Sequence, residues 1–350
     1  MKAKTMRSAC ITAPHCWTMR EDPIPVPGEG EVLVRMMAAG VCGSDFHNFD
    51  GGNPNAVYPR VPGHENAGIV VQLGPGVTER RVGEHVVLDL THSCGECYQC
   101  RLGRKNVCRS VQVRGATIDG GWREYIALPE KEAYPISESV RWEDAALVEP
   151  FAIGAHCTAR GRVTDGDVAF VLGAGTIGST IIQMCKIRGA ATVICADVDP
   201  DNLARARKYG ADHTIDCRTE DVVTRVREIT GGEGVTVAFD SACYPGSLTL
   251  CMTPGILRNA GRMVTLGFVT RPEALTQAMI NQRELDVIGS RMSAFQFEPT
   301  IRRLERGELI TEGMANALIP FDEIGRVFRQ MDAPDRAIKK MIITFPDGEK

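Results

Sequence analysis

The fold is decided by the stretch VAFVLGAGTIG, residues 168–178. Its five leading apolar residues predict a strand that is buried on both faces, as the strands of parallel sheets are. The glycines that follow fit the pattern G-x-G-x-x-G, and a helical pattern over residues 177–188 comes next. A strand, a glycine loop and a helix in this order predict a dinucleotide-binding unit.

Each residue of this loop has a physical role in holding a dinucleotide. Gly173 makes the tight turn, Gly175 lets the pyrophosphate approach the backbone, and Gly178 lets the helix pack closely on the strand. Thr176 and Ile177 stand at the start of the helix, where free N–H groups and the helix dipole favour phosphate. A glycine turn with only a structural role is the alternative interpretation.

The strand after this helix ends at Asp197, about 20 residues past the last glycine, where the dinucleotide pattern has an acid. A carboxylate there binds the hydroxyls of the adenosine ribose and repels a 2′-phosphate. The sequence therefore predicts NAD(H) as the cofactor in preference to NADP(H).

Strands and helices alternate outward from the loop, which predicts a doubly wound parallel sheet over residues 154–289. Residues 1–153 have many glycines and prolines between short strand patterns, and this predicts a β-rich, barrel-like domain. Residues 290–350 are helical and finish with an apolar strand, which we expect to return to the first domain. The fold class is α/β.

Composition excludes several classes of protein. The chain has 350 residues, 43% of them hydrophobic, and a formal net charge of −4. These values exclude collagen-like, disordered and disulfide-scaffold proteins. The acidic balance argues against nucleic acid as a partner. The uncharged stretch at residues 168–185 is interrupted by glycines and hydroxyl residues, so we expect no membrane association and a cytoplasmic location.

Four of the thirteen cysteines form one compact cluster. Cys94, Cys97, Cys100 and Cys108 offer four thiolates, which is the ligand set of a structural zinc site. An iron–sulfur cluster is an alternative, but no fifth cysteine or proline follows in the ferredoxin manner. A nucleic-acid zinc ribbon is another, but its second half is missing. We therefore predict a structural zinc ion.

A second, open metal site is predicted from residues that lie apart in the sequence. Cys42, His64, Glu65 and Glu149 together offer a thiolate, an imidazole and two carboxylates. A catalytic zinc ion uses about three such ligands and leaves one position for water or substrate. Any one of these residues alone is ordinarily structural. The prediction depends on their occurrence together with the dinucleotide loop.

With these motifs, the sequence resembles the zinc-dependent medium-chain dehydrogenases, the family of alcohol, sorbitol and threonine dehydrogenases. The resemblance covers the whole chain and includes the Gly-His-Glu signature at residues 63–65. It implies a GroES-like catalytic domain beside a Rossmann domain, two zinc ions per chain, and a homodimer or homotetramer.

The resemblance also assigns individual roles. Alcohol dehydrogenases place a second cysteine on the catalytic zinc, whereas the matching position here is Glu149, as in the polyol and threonine branch. Glu65 lies in or near the ligand shell in that branch, and the sequence does not rank the two glutamates. Ser44 and His47 match a proton relay. A turn residue and a solvated loop histidine are the alternatives.

The motifs at residues 58–60, 120–125, 149–153 and 289–293 together resemble those of sugar-acid dehydrogenases, such as L-galactonate and L-gulonate 5-dehydrogenases. We therefore expect oxidation of a small polyhydroxy molecule, an aldonate at C5, with a neutral polyol or a polyol phosphate as the alternative. Arg291 matches a substrate-side arginine, and Arg60 is a second candidate for contact with the substrate. A structural ion pair is the alternative role for either residue. A zinc-bearing NAD sensor without catalysis is a further alternative, which the intact set of site residues disfavours.

Overall fold

The computed structural model describes residues 5–346 apart from positions 55, 90, 268 and 270. The chain forms two compact units. The first contains the residues up to Glu149 together with those from Phe297 onward, and the second runs from Pro150 to Gln296. The domain limits expected from the sequence, at residues 153/154 and 289/290, stay predictions beside these divisions.

The secondary structure of the described residues is as follows. The strands are β1 (Thr5–Ala13), β2 (Cys16–Pro23), β3 (Glu31–Gly40), β4 (Glu65–Leu73), β5 (His85–Leu88), β6 (Thr91–His92), β7 (Gln112–Val113), β8 (Tyr125–Pro129), β9 (Ala133–Pro135), β10 (Val168–Leu172), β11 (Thr192–Asp197), β12 (His213–Asp216), β13 (Val235–Asp240), β14 (Leu257–Thr265), β15 (Asp286–Gly289), β16 (Ala317–Pro320) and β17 (Met341–Thr344). The α-helices are α1 (Gly43–Phe49), α2 (Tyr98–Arg101), α3 (Trp142–Ala145), α4 (Val148–Arg160), α5 (Thr176–Ile187), α6 (Pro200–Lys208), α7 (Val222–Ile229), α8 (Ser247–Cys251), α9 (Gln277–Asn281), α10 (Phe297–Glu305) and α11 (Gly325–Asp332). Three short 3-10 helices cover Lys105–Val107, Glu130–Glu132 and Phe321–Glu323.

The second unit contains a six-stranded parallel sheet in the order β12-β11-β10-β13-β14-β15. This is the strand order of a doubly wound dinucleotide-binding fold. After β10 the chain adds β11 and β12 on one side of the sheet, and then β13, β14 and β15 on the other side. The glycine loop follows β10, at the point where the strand order switches. The α/β class predicted from the sequence is confirmed.

Helix caps in this unit follow from local sequence. Asp199 precedes α6, and its carboxylate accepts a hydrogen bond from the backbone N–H of Asp201, with Pro200 as the first helical residue. Asp221 caps α7 in the same way by accepting from the N–H of Thr224. The apolar strands, α7 and α8 contribute to one hydrophobic core.

The first unit is built on a sheet in the order β16-β17-β3-β4-β5-β9, with β8 also paired with β3. Strand β3 is central and ten residues long. The C-terminal strand β17 pairs antiparallel with β3, so the end of the chain completes the sheet that the N-terminal part began.

Aromatic side chains fill the core of the first unit. Phe328 stacks on Trp17 with ring centroids 4.4 Å apart, and it also contacts Phe49 and Trp122. Trp122 is fully buried against Gly63, which has a φ of +97°. A Cβ at Gly63 would lie 2.2 Å from the indole ring, so both the backbone and the space require glycine there.

Within the described residues, no helix combines the length and the apolar character that crossing a membrane requires.

Candidate active site

The glycine loop joins β10 to α5. Gly173 has a φ of +91°, a left-handed conformation that glycine adopts without strain. A Cβ at Gly178 would lie 1.9 Å from the carbonyl oxygen of Gly173, so only glycine allows this contact between helix and loop. Gly175 is exposed and faces open space, and it is the residue before the first turn of α5. Thr176 and Ile177, in that turn, are half-buried.

These observations fit a bound dinucleotide. The exposed glycine leaves room for a pyrophosphate beside the free N–H groups of the helix terminus. Asp197 ends β11, and its carboxylate accepts hydrogen bonds from the backbone N–H groups of Ala174 (2.6 Å) and Asp199 (2.8 Å). The acid predicted to bind the ribose is therefore fixed beside the loop that would hold the phosphates.

The four cysteines of the predicted structural zinc site lie together. Their sulfur atoms approach one another at 3.5 Å for Cys94 and Cys108, 3.8 Å for Cys97 and Cys108, and 4.0 Å for Cys94 and Cys100. All four ligand atoms lie within 4.8 Å of one another, which fits tetrahedral coordination of one ion. We call residues 91–113, which contain these cysteines, the cysteine lobe.

A buried ion pair anchors this lobe. The Nζ atom of Lys105 donates to Asp89 at 2.5 Å and to the hydroxyl of Tyr134 at 3.0 Å. Burial lowers the pKa of Lys105, but the charges and hydrogen bonds of Asp89 and Tyr134 together outweigh that effect, and the pKa is raised. The lysine therefore stays charged and ties the lobe to the sheet.

The second metal centre lies where two adjacent strands meet. Cys42 follows β3 and precedes α1, while His64 and Glu65 stand at the start of β4, which pairs with β3. The ligand atoms of these three residues lie within 4.8 Å of one another. A thiolate, an imidazole and a carboxylate at this spacing fit a zinc ion with an open position. The antiparallel pairing of β3 and β4 brings Cys42 close to His64 and Glu65.

Glu149 lies outside that compact set. It is in the first turn of α4 and is 5% exposed. Burial, together with the charge of Glu65, raises the pKa of Glu149 to about 8, although His64 lowers it. Its assignment as a ligand of the metal stays a prediction.

Two charged residues at this centre were not predicted from the sequence. Asp45, in α1, is fully buried; its carboxylate accepts from the backbone N–H of Cys42 at 2.9 Å, and its other oxygen lies 3.8 Å from Nδ1 of His64. Lys340, just before β17, is 4% exposed and forms an ion pair with Glu65. Asp45 thus contacts two ligands and Lys340 the third.

The electrostatics are those of a cation site. Burial raises the pKa of Asp45. Burial lowers the pKa of His64, but the charges of Asp45 and Cys42 outweigh it and raise that pKa well above its ordinary value. A thiol and three carboxylates thus share one buried region with two cationic groups. A divalent cation would supply the positive charge that stabilises their ionised forms.

The remaining predicted residues are placed separately. Ser44 and His47 are exposed and three positions apart on α1, so they share one side of the helix. Nδ1 of His47 lies 3.7 Å from Asp50. Arg60 donates from Nη1 to Asp119 at 3.1 Å in the first unit. Arg291 is exposed and follows β15 in the second unit.

Comparison with known proteins matches both units. A family model for the alcohol dehydrogenase GroES-like domain matches residues 28–138, and one for zinc-binding dehydrogenases matches residues 176–306. The chain belongs to the zinc-binding alcohol dehydrogenase family. This confirms the family that the sequence motifs indicate, and the protein is an oxidoreductase.

Curated relatives cover almost the whole chain. The starvation-sensing protein RspB of Escherichia coli is 36% identical over 98% of this chain and 100% of its own length. Sorbitol dehydrogenase of Bacillus subtilis is 31% identical (91% and 89%), and L-galactonate-5-dehydrogenase of Escherichia coli is 29% identical (94% and 95%). The family is thus one of dehydrogenases of polyol and sugar-acid type.

Solved structures agree with this fold. RspB of Escherichia coli CFT073, in complex with NADH, has a TM-score of 0.91 at 36% identity and covers 97% of this chain and 99% of its own. A zinc-binding dehydrogenase of Sinorhizobium meliloti bound to NADP has the same TM-score and coverage at 28% identity. Members of this fold thus bind either nicotinamide cofactor.

Proposed function

We propose that this dehydrogenase oxidises a secondary hydroxyl of a sugar acid, an aldonate at C5, to the corresponding keto acid, with NAD as the hydride acceptor. The observation that carries the proposal is the compact donor set of Cys42, His64 and Glu65, with the carboxylate of Glu149 buried in the same unit. It replaces a second thiolate with carboxylates, and it occurs in a chain that is 29% identical to L-galactonate-5-dehydrogenase.

The protein's own residues would hold the metal and position it. Cys42, His64 and one of the two glutamates bind the ion, while Asp45 orients Cys42 and His64. When bound, zinc supplies a Lewis acid that polarises the oxygen of the substrate. Burial of Glu65 and Glu149 excludes bulk water from that side of the centre.

Ser44 and His47 suit the release of the substrate's proton. The hydroxyl of Ser44 lies two residues after Cys42, and the His47 side chain is 70% exposed. A proton accepted at the serine oxygen can pass to the imidazole of His47 and from there to solvent. Replacing His47 with glutamine is expected to lower kcat and shift its pH profile, with little change in the zinc content.

NAD specificity follows from Asp197 in this proposal. Its carboxylate hydrogen-bonds ribose hydroxyls and repels a 2′-phosphate. Replacing Asp197 with asparagine should reduce the ratio of kcat/KM for NAD to that for NADP by about tenfold or more, because about 1.4 kcal/mol of charge repulsion suffices for that factor. An unchanged ratio would show that Asp197 does not determine the preference for NAD over NADP.

A substrate screen tests the proposal. The purified, zinc-loaded enzyme is assayed for NADH formation with aldonates, polyols, polyol phosphates, L-threonine and simple alcohols, each with NAD or NADP. We expect the highest kcat/KM with one aldonate and NAD. Signal with simple alcohols alone would overturn the sugar-acid assignment.

Arg291 is our candidate anchor for the substrate's carboxylate, because its side chain is exposed and a guanidinium can bind both oxygens of a carboxylate. Replacing Arg291 with methionine should raise KM for an aldonate at least tenfold, while KM for a neutral polyol should change little. The same substitution at Arg60 is the matched control. Equal effects of Arg291→Met on both substrates would exclude a carboxylate clamp.

A polyol is the second candidate substrate. Sorbitol dehydrogenase of Bacillus subtilis is slightly more similar in sequence, at 31% identity, than the sugar-acid enzyme. The same metal centre and cofactor loop would serve this reaction, and the carboxylate anchor would then be unnecessary. Activity on sorbitol or xylitol, without activity on aldonates, would establish it.

We also propose that the enzyme acts as a homo-oligomer in the cytoplasm. Strand β15 is an edge strand of the parallel sheet, and three of its four residues are exposed, so its backbone groups are available to a second copy. The many cysteines suit a reducing compartment. A monomeric mass in solution would overturn the oligomer, and recovery of the native protein outside the cytoplasmic fraction would overturn the location.

A further inference from the structure

The hairpin of β1 and β2 presents a row of polar side chains on one face. Ser8 lies directly opposite Arg20 in the β1–β2 pairing, and an isolated antiparallel bridge places Arg123 opposite Ser8 on the other side. Residues directly opposite one another on adjacent strands project from the same face, with Cβ atoms about 5 Å apart. Two arginines therefore flank one small serine in a single row.

The three side chains of this row all have buried donors without partners. Ser8 is fully buried, and its hydroxyl makes no hydrogen bond to any described residue. The Nε atoms of Arg20 and Arg123 are also buried and lack a partner in the same part of the chain. Buried polar groups are ordinarily hydrogen-bonded, and three unsatisfied donors in one row indicate a missing acceptor.

The charges of this region leave one guanidinium uncompensated. Three neighbouring arginines are each paired with a carboxylate: Arg20 with Asp22 (3.0 Å), Arg60 with Asp119 (3.1 Å), and Arg114 with Glu132. Arg123 makes no ion pair or side-chain hydrogen bond with any described residue. The missing acceptor is therefore expected to carry a negative charge.

The pKa of Arg123 agrees with this geometry. Burial lowers it to about 10; Asp119 and Asp22 oppose the shift, while Arg114 and Arg20 add to it. Asp22 and Asp119 are negatively charged and would repel an anion bound at the row. Both of them already accept hydrogen bonds from arginines, so each faces a cation of its own.

We propose that Ser8, Arg20 and Arg123 form a binding site for a small oxyanion, a carboxylate or phosphate group. A guanidinium offers planar, directed donors that match the oxygens of such a group, and the serine hydroxyl adds a third. The site uses none of the residues of the metal centre or the glycine loop. A neutral water molecule would satisfy a donor but not the charge of Arg123.

Thermal unfolding of the zinc-loaded protein tests the site. Acetate and inorganic phosphate are titrated separately at constant ionic strength with sodium chloride, and excess NADH occupies the cofactor loop. We expect a saturable rise in Tm of roughly 3 °C for the parent with at least one oxyanion. Arg123→Met should show none of this rise. Arg326→Met, which removes an exposed arginine paired with Glu323, is the matched control and should keep it.

The two oxyanions distinguish the sources of the ligand. A rise with acetate alone assigns a carboxylate, and a rise with phosphate alone assigns a phosphate group. No rise with either, or an equal rise in Arg123→Met, overturns the proposal.

One further measurement and one further variant keep the test independent of folding. At low salt, Arg123→Met should unfold at the same or a higher temperature than the parent, because it removes a half-buried charge that has no ion-pair partner among the described residues. A clearly lower Tm would show that the guanidinium is already satisfied and would overturn the site. Should that variant fail to fold, Ser8→Ala is titrated instead. Its half-saturating oxyanion concentration should be several-fold higher than that of the parent, and an unchanged concentration contradicts the proposal.

Discussion

Lys340 and Glu65 form the most deeply buried ion pair of the metal centre, with side chains that are 3% and 1% exposed. The Nζ atom of Lys340 also donates to the carbonyl oxygen of Val41 at 2.9 Å. Gly40 makes room for the pair, since a Cβ there would lie 1.8 Å from Oε2 of Glu65. Removing both charges from water costs free energy, and the ion pair together with the hydrogen bond to Val41 offsets that cost.

Replacing Lys340 with methionine should therefore destabilise the metal-free protein by about 3–5 kcal/mol, because it leaves the carboxylate of Glu65 buried without a partner. The loss should be smaller in the zinc-loaded protein, where a cation faces the same carboxylate. Urea unfolding of both forms measures the difference.

The matched control is Lys186→Met, which breaks an exposed pair with Asp212 and should cost at most about 1 kcal/mol. A cost this small for Lys340→Met would contradict the role we give to the buried pair.

The residues of this centre differ in how far the sequence predicts them. Cys42, His64 and Glu65 are recognisable by type and motif, and the structure brings them together. Asp45 has one local signal, its position three residues after Cys42, where an acid can accept the N–H that opens α1. Lys340 has none, because its contact with Glu65 depends on a strand pairing across almost the whole chain.

At the scale of single elements, Asp167 fastens the start of β10 to its neighbours. Its carboxylate accepts hydrogen bonds from the hydroxyl of Thr236 (2.7 Å) and the backbone N–H of Thr164 (2.9 Å), and it pairs with Arg262. Burial raises the pKa of Asp167, but these three donors outweigh it, and the pKa is lowered.

Asp167→Asn should therefore cost about 1.5–3 kcal/mol of stability at neutral pH. The folded pKa is lower than the ordinary value of about 3.9, so this stabilisation is present above that value and is lost as pH falls through the folded pKa. The gap between variant and parent should shrink toward about pH 3. Urea midpoints across pH measure it, and a gap independent of pH would contradict the ionic origin.

The cysteine lobe has little core of its own, so we expect a metal ion bound by its four thiolates to hold it together. Cys108→Ser should open it, so that trypsin cuts at basic residues in the lobe, such as Arg101 and Arg104, at least about tenfold faster than in the parent. Cys16→Ser, at an exposed cysteine outside the lobe, is the control and should leave the rate unchanged. Equal rates for parent and Cys108→Ser would show that the thiolates do not hold the lobe.

Elements of the second unit are predicted well because each has a local cause. The sequence predicts strands over residues 168–172, 213–216, 235–240 and 286–289, and β10, β12, β13 and β15 have these bounds. For β14 the sequence predicts a strand over residues 263–266. The strand begins six residues earlier, at Leu257, in a polar stretch that is held extended by pairing with β13. In the first unit, the sequence predicts a helix over residues 300–308. Helix α10 begins earlier, at Phe297, because Pro299 is tolerated in a first turn.

At the scale of the whole chain, the first unit joins residues from both ends of the sequence. Phe328, in α11, is 1% exposed and contacts Trp17, Phe49 and Trp122. The sequence predicts that the C-terminal segment returns to the first domain, but not which side chains meet, since such contacts have no local pattern.

Replacing Phe328 with alanine should destabilise the protein by about 3–5 kcal/mol, because a large cavity forms between elements that are distant in sequence. Leu318→Ala, at a position that is 51% exposed, should change stability by less than about 0.5 kcal/mol. Chemical unfolding of the zinc-loaded protein compares the two. A small effect at Phe328 would mean that the aromatic cluster does not hold the first unit together.

The central claim is that two separate clusters each hold a zinc ion and that only the cluster with Cys42 carries the reaction. Zinc content per chain, measured together with NADH formation for the parent and for Cys42→Ala, tests it most directly. We predict two zinc ions in the parent, one in the variant, and no NADH formation by the variant with the best substrate of the parent. A variant that keeps both ions, or that still forms NADH at the parent's rate, would contradict the account.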